Sequence, residues 1–355
     1  MRPQVKQHRV SLAGSLALDQ RGRDVAPILA DELSNLGYEI VDVGPVELLI
    51  NLNHNWKSLR EQTKHGSVPT RILIRLEPPS VFPAQYTPKV EETYDLLFNP
   101  GRPQQSREDF IPWPYQFQKN PLKPQIEPPS VLEILNQKIN DGQFDYNNWR
   151  ERQIFCAMIS ANKISPNGSG NYELRRTLAK NLKDPRLQIF GELWRSSLSA
   201  KLRYRLGVLR FALVSRSEFS LRAILNDTLS RYPRTFGEIE DKHAILKDSK
   251  FSFVIENSGD YVSEKLLDSL IEGCIPIYIG PHFEGTNLPE ELVIRTASAP
   301  EGLMDFLEGL NPETIKNKLS TIREFLLSPS FLEWEATLVY RTIAQKIDAK
   351  YREGK

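Results

Sequence analysis

Apolar positions along the chain alternate between short continuous runs and helical spacings. A run at Val10–Ala13 is followed by Val25, Ile28, Leu29, Leu33 and Leu36, spaced three and four apart as on one helix face, and Gly37 stands where a helix C-cap would. Strand-like runs then come at residues 39–43 and 46–52, at Arg71–Leu76 and at Tyr94–Phe98. Residues 111–130 carry Pro112, Pro114, Pro121, Pro124, Pro128 and Pro129, the composition of an extended connector. Beyond it lie a helical stretch (Val131–Ile139), a strand (Ile154–Ser160), a Gly/Asn/Ser loop (Asn162–Asn171), a helix from Tyr172 to Leu182 and a strand ending at Gly191. Residues 196–232 are less regular and read as helical. Phe251–Glu256, Ser263–Glu272 and Ile275–Gly280 form a strand, helix and strand. Asn311 and Pro312 open a helix whose face is Ile315, Leu319, Ile322 and Leu326. Pro329 breaks it, and a last helix starts near Phe331.

Strands alternating with helices predict an α/β chain of wound, mostly parallel sheets. Its 355 residues suit two domains. The expected division is residues 1–125 as one Rossmann-like lobe, 126–150 as hinge, 151–300 as a second lobe, and 301–355 as C-terminal helices packing across the lobes.

Composition narrows the chemistry. The net charge is +1, so no bulk field draws the chain to nucleic acid, and no nucleic-acid partner is expected. Cys156 and Cys274 lie in apolar stretches and read as buried, reduced thiols. The five histidines do not pair at metal spacing; His54, in Asn-Leu-Asn-His-Asn, is either a core or surface histidine or a residue lining a cleft. Asp-x-Asp, GxxxxGK[ST] and GxSxG are absent, which argues against metal-dependent single-lobed sugar transferases, P-loop kinases and α/β-hydrolases. The start, MRPQVKQHRVSLAG, lacks the apolar run of a signal peptide, and no apolar run reaches the roughly 18 residues a membrane span needs, so a cytoplasmic location is expected. The glycosylation-like triplets at Asn167 and Asn226 are then chance matches. Residues 201–222 interleave Lys201, Arg203, Arg205, Arg210, Arg216 and Arg222 with leucines and Phe211. They form either a solvated face or a basic wall beside a ligand site, or a basic helix in peripheral contact with the inner membrane surface.

Residues 250–281 hold the densest candidate chemistry. A buried strand delivers Glu256 and Asn257 at its C-terminal end, where open α/β sheets bind ligands. The turn Ser258-Gly-Asp leads past Tyr261 to a helix whose first turn carries Glu264 and Lys265. A helix N-terminus suits a diphosphate, a lysine there can offset leaving-group charge, and a carboxylate can accept ribose hydroxyls. An ordinary βαβ unit with a solvated first turn would carry similar residues.

The order Lys250-Phe251, Glu256-Asn257-Ser258, Tyr261-Val-Ser-Glu264-Lys265 and Ile275-Pro-Ile-Tyr278 resembles the donor-binding motif of the α-1,3-fucosyltransferases, glycosyltransferase family 10. Phe236–Lys242 is similar to the segment that precedes this motif in many members. Leu76-Glu77-Pro78-Pro79 stands where the family carries its favoured general base, and Tyr94–Asn99 with Ile111–Tyr115 resembles its following strand and Pro-Tyr segment. Ser160-Ala-Asn162 with Arg175 or Arg176 resembles its diphosphate-contacting Ser-Asn…Arg, in a longer loop that leaves the choice of arginine open. Residues 192–235 look like an insertion. The resemblance covers roughly residues 48–115 and 154–281, and it implies a soluble microbial member.

That resemblance implies two Rossmann-like lobes facing a cleft (GT-B type). It implies inverting, metal-independent transfer of fucose from GDP-fucose to a hydroxyl of a surface polysaccharide or lipopolysaccharide. Glu77 would act as base. Lys265, with Arg175 or Arg176, would stabilise the diphosphate, while Asn257, Tyr261 and Glu264 position the nucleotide. No cofactor is expected beyond the donor substrate. Three readings stand beside it: another nucleotide-sugar donor on the same lobes, a non-catalytic nucleotide-sugar-binding protein, and a membrane-surface adaptor using residues 201–222.

Overall fold

The structure is a computed structural model. It describes residues 8–14, 25–42, 44–64, 68–101, 108–115, 130–181, 184–226, 228–232, 235–260, 262–297 and 301–353. Tyr261 and most of the proline-rich connector, residues 116–129, lie outside these. The chain divides into two compact units: residues 1–77, 84–131 and 332–355, and residues 78–83 and 132–331. The C-terminal residues are thus shared, with 301–331 in the second unit and 332–355 in the first.

The first unit is built on six parallel strands: β1 (His8–Gly14), β2 (Tyr38–Ile40), β3 (Leu48–Leu52), β4 (Thr70–Ile74), β5 (Leu96–Asn99) and β6 (Glu108–Phe110), in the order β2-β1-β3-β4-β5-β6. β3 and β5 are buried at every position, as strands covered on both faces are, which explains their unbroken apolar runs. Val46, Leu49, Leu59, Leu73, Val90, Tyr94 and Leu97 form one core cluster. The helix Val25–Asn35 ends as expected: Gly37 has φ +89°, and its N–H donates to Ser34 O. The last helix, Ala336–Glu353, packs on this helix, with Arg341 paired to Glu32 at 3.2 Å. Two elements escape the apolar pattern. The helix Trp56–Lys64 has only Trp56 and Leu59 as apolar residues and buries Ser58 and Gln62 beside Leu59, and β6 is three residues long.

The second unit has its own six parallel strands: β7 (Ile154–Ile159), β8 (Leu187–Phe190), β9 (Thr235–Gly237), β10 (Ser249–Ile255), β11 (Ile275–Ile279) and β12 (Ile294–Arg295), in the order β12-β11-β10-β7-β8-β9. The chain runs from β7 outward to β9, then returns to the other side of β7 for β10. The β7/β10 boundary is therefore the topological switch point, where such sheets open a ligand crevice beyond their strand ends. Residues 196–232 contain the helices Leu198–Ser215 and Leu221–Leu225, each capped by a serine, Ser197 and Ser220. The helix Pro312–Leu326 starts at the Asn311 cap as expected and buries Ile315, Leu319, Ile322 and Leu326. Cys156 and Cys274 are fully buried free thiols, and burial pushes the Cys274 thiol up to about 12.

Candidate functional site

β10 is hydrogen-bonded between β7 and β11, so its end is held from both sides, and Glu256 N donates to Ile279 O at 2.9 Å. The Glu256 carboxylate that follows is fully buried. It accepts Ser263 N–H at 3.0 Å and Ser263 Oγ–H at 2.5 Å, and Tyr278 OH lies at 3.5 Å. Burial raises its pKa, while Lys265 and the Ser263 hydrogen bonds pull the other way.

Ser263 is also the N-cap of the helix Glu264–Ile271, and its Oγ accepts Lys265 Nζ at 2.9 Å. Lys265 Nζ lies 3.9 Å from Glu256. One serine thus fixes both a buried acid and the lysine beside it. The helix itself is anchored behind the site by Lys242, whose Nζ meets Asp268 at 2.5 Å. In the Phe236–Lys242 segment, Lys242 therefore has a structural role.

Asn257 is bound on both its main chain and its side chain. Its carbonyl accepts Asn171 N at 3.1 Å and Ser80 Oγ at 3.1 Å, while its Oδ1 accepts Arg175 Nη2 at 2.8 Å. The loop that reaches it requires Gly170. With φ +78°, a Cβ there would stand 2.3 Å from Asn257 O.

The structure separates the two arginines that the sequence leaves as alternatives. Arg175, on the helix Tyr172–Asn181, is buried at the end of β10, where it also donates to Ile255 O at 2.6 Å. Burial lowers its pKa, opposed by Tyr172, Glu256 and Glu264. Arg176 turns away, donates to Lys163 O at 2.9 Å and lines a cavity of about 30 Å³ with Ser165, Glu173 and Asn226. Glu264 is half-buried in the first helical turn.

Three buried polar atoms at the ends of β7 and β10 have no hydrogen-bond partner: Ser160 Oγ, Asn162 Oδ1 and Arg175 Nε. Such atoms cost about 1–3 kcal/mol each when left unsatisfied, so their grouping fits a polar ligand. Beside them, Trp194 donates to Ser160 O at 2.6 Å and borders a cavity of about 280 Å³ lined also by Arg195, Ser196, Lys201, Arg231 and Tyr232. The sequence places Glu256 at the strand end without a role for it, and the cap Ser263 is not among the expected site residues. Their signal was in the chain: an acid directly after an apolar strand, and a serine one residue before Glu-Lys.

In the first unit, Glu77 follows β4 on a heavily tied turn. Asn53, in the left-handed region at φ +58°, accepts Leu76 N at 2.8 Å and Glu77 N at 3.2 Å through Oδ1. Glu77 O accepts Gln85 Nε2 at 2.7 Å and Tyr86 OH at 2.9 Å. Under this turn lies the buried pair Arg75–Glu91 at 2.6 Å, with the Arg75 guanidinium 4.3 Å from the Tyr86 ring centre. His54 is not exposed. Its Nδ1 lies 2.8 Å from Tyr94 OH, and burial pushes its pKa down to about 4.

No protein-family model matches the chain, and no curated protein matches its sequence. Among solved structures, Anabaena HepE in complex with UDP aligns with a TM-score of 0.52 at 9% identity, covering 97% of this chain and all of that one. Sucrose-phosphate synthase from Thermosynechococcus elongatus aligns with a TM-score of 0.50 at 10% identity, covering 98% and 99%. An α1,3-fucosyltransferase aligns with a TM-score of 0.49 at 12% identity, covering 98% and 92%, which adds nothing to the motif resemblance. At these identities the likeness is one of fold: two parallel six-stranded α/β sheets of the GT-B type.

Proposed function

We propose that the chain is a nucleotide-sugar glycosyltransferase that works without a metal, by inversion, with GDP-fucose as donor and a glycan hydroxyl as acceptor. The observation that carries this reading is the grouping of Lys265, Asn257, Arg175 with its unsatisfied Nε, and the unsatisfied Ser160 Oγ and Asn162 Oδ1 at the switch point of the second sheet. Two cations and a helix N-terminus there suit a diphosphate. Fucose as the sugar rests on the order of residues 250–281 alone.

In this mechanism Glu77 takes the proton of the acceptor hydroxyl as its oxygen bonds to the anomeric carbon. The bond from that carbon to the diphosphate breaks on the opposite face. The nucleoside diphosphate leaves with the electron pair, and Lys265 and Arg175 offset its added charge. Asn257 and Glu264, with Tyr261, orient the nucleotide.

A second donor is favoured by one observation: HepE, which shares the fold, has been crystallised with UDP-glucose. Calorimetric titration with GDP, GDP-fucose, UDP and UDP-glucose in EDTA separates the two. Binding of GDP and GDP-fucose supports the first reading, and binding of only the uridine pair moves the assignment to a UDP-sugar. If none of the four binds, the transferase reading fails.

A further inference from the structure

The region of residues 192–235 carries an unusual surface. Among the described residues, ten of the fifteen large apolar side chains that are exposed fall between Leu198 and Leu229. On the helix Leu198–Ser215 they are ordered. Leu198, Leu202, Leu206 and Leu213 recur at spacings of four, four and seven, which places them within one 80° stripe. The stripe is about 22 Å long at 1.5 Å per residue. Leu206 is 66% exposed, Val214 75% and Leu229 80%.

The helix is inside-out relative to an ordinary surface helix. Lys201 and Arg205 turn inward, donating to Ser230 O and Ile224 O, while Leu198, Leu202, Leu206 and Leu213 face out and Leu209 is half-buried. The six cations read from the sequence as one basic face are therefore split. Arg203, Arg210, Arg216 and Arg222 stay exposed and make no ion pair among the described residues. Arg203 and Arg210 follow the leucine stripe around the helix, on the side away from Lys201 and Arg205.

We propose that this face docks on an anionic lipid surface. Exposed leucines can enter the boundary between headgroups and acyl chains, and arginines along the edge can meet lipid phosphates. Charge decides the occupant. From Arg195 to Asn226 the sequence has seven cations and one acid, Glu218. A two-fold contact between copies would bring Arg203 and Arg210 against their own equivalents, whereas an anionic surface neutralises them. The chain's net charge of +1 leaves this segment as a local source of attraction.

The test is flotation of the full chain with vesicles of phosphatidylcholine alone and of phosphatidylcholine with phosphatidylglycerol, at low and high salt. No nucleotide is involved, so the result is independent of the transferase reading. Expected is binding to the anionic vesicles that weakens with salt. Leu202→Gln/Leu206→Gln/Leu213→Gln and Arg203→Glu/Arg210→Glu should each lower the partition coefficient roughly tenfold or more. All five residues are exposed, so both variants should keep the wild-type Tm. No flotation with anionic vesicles, or flotation unchanged in both variants, overturns the proposal. So does a vesicle-free dimer in sedimentation velocity that the leucine variant abolishes, which would assign the stripe to a second copy.

Discussion

Lys265 and Glu256 are joined through one hydroxyl: Lys265 Nζ donates to Ser263 Oγ at 2.9 Å, and the same Oγ donates to Glu256 at 2.5 Å. The single hydroxyl proton is committed to the acid, so the oxygen lone pair is turned to the lysine. This leaves Lys265 with N–H donors to spare and a fixed head position. Lys265→Ala should lower nucleotide affinity by about 10- to 100-fold, the worth of one charge-assisted hydrogen bond. Ser263→Ala should cost about 1–3 kcal/mol of stability with a smaller loss of affinity, because it strips the buried acid first. Calorimetry and thermal melts read the two effects. Equal affinity in Lys265→Ala and wild type would remove the lysine from the donor site.

The two neighbouring arginines should behave differently. Arg175→Lys removes the planar guanidinium whose Nη2 donates to both Ile255 O and Asn257 Oδ1, and it should weaken nucleotide binding several-fold or more. Arg176→Lys, whose side chain turns to Lys163 O instead of Asn257, should leave affinity within about twofold. Titration of both variants checks the assignment, and the reverse ranking would transfer the diphosphate contact to Arg176.

Glu77→Gln should keep donor affinity and lower kcat by roughly 10²- to 10⁴-fold, since only proton acceptance is lost. The backbone ties from Asn53, Gln85 and Tyr86 do not use the carboxylate, so the turn should persist in the variant. Steady-state kinetics beside calorimetry reads this, and full turnover would exclude Glu77 as the base.

His54 should make the first unit sensitive to acid. Its folded pKa of about 4 lies below the ordinary 6.5 because burial disfavours the imidazolium. The neutral form is the one folding favours, so its contribution is complete above 6.5 and is lost as pH falls from 6.5 toward 4. The full swing is on the order of 3 kcal/mol. In urea unfolding, wild type should lose more stability than His54→Gln between neutral pH and about 4. Parallel losses in the two proteins would refute the histidine as the cause.

Most of the sheet skeleton was legible from the order of residues alone. Parallel strands covered on both faces must be apolar throughout, so β3, β4, β5, β7, β8, β10 and β11 stood out as runs. Turns and caps were equally legible where one residue type is demanded, as at Gly37 and Asn311. Short elements such as β6 and the helix Trp56–Lys64 were not, because local pattern carries too few apolar positions to mark them. The order of residues 250–281 pointed to a donor site, yet the choice between Arg175 and Arg176 lay beyond any local pattern. Adjacent residues on a helix point about 100° apart, and only the packing of that helix on β10 decides which one meets Asn257. Glu256 and Ser263 gained their roles in the same way. They stand seven positions apart in the chain, and the bend from strand to helix brings the hydroxyl onto the carboxylate. The inside-out helix Leu198–Ser215 makes the same point, since only tertiary contacts decide whether a mixed helix turns its lysines or its leucines inward.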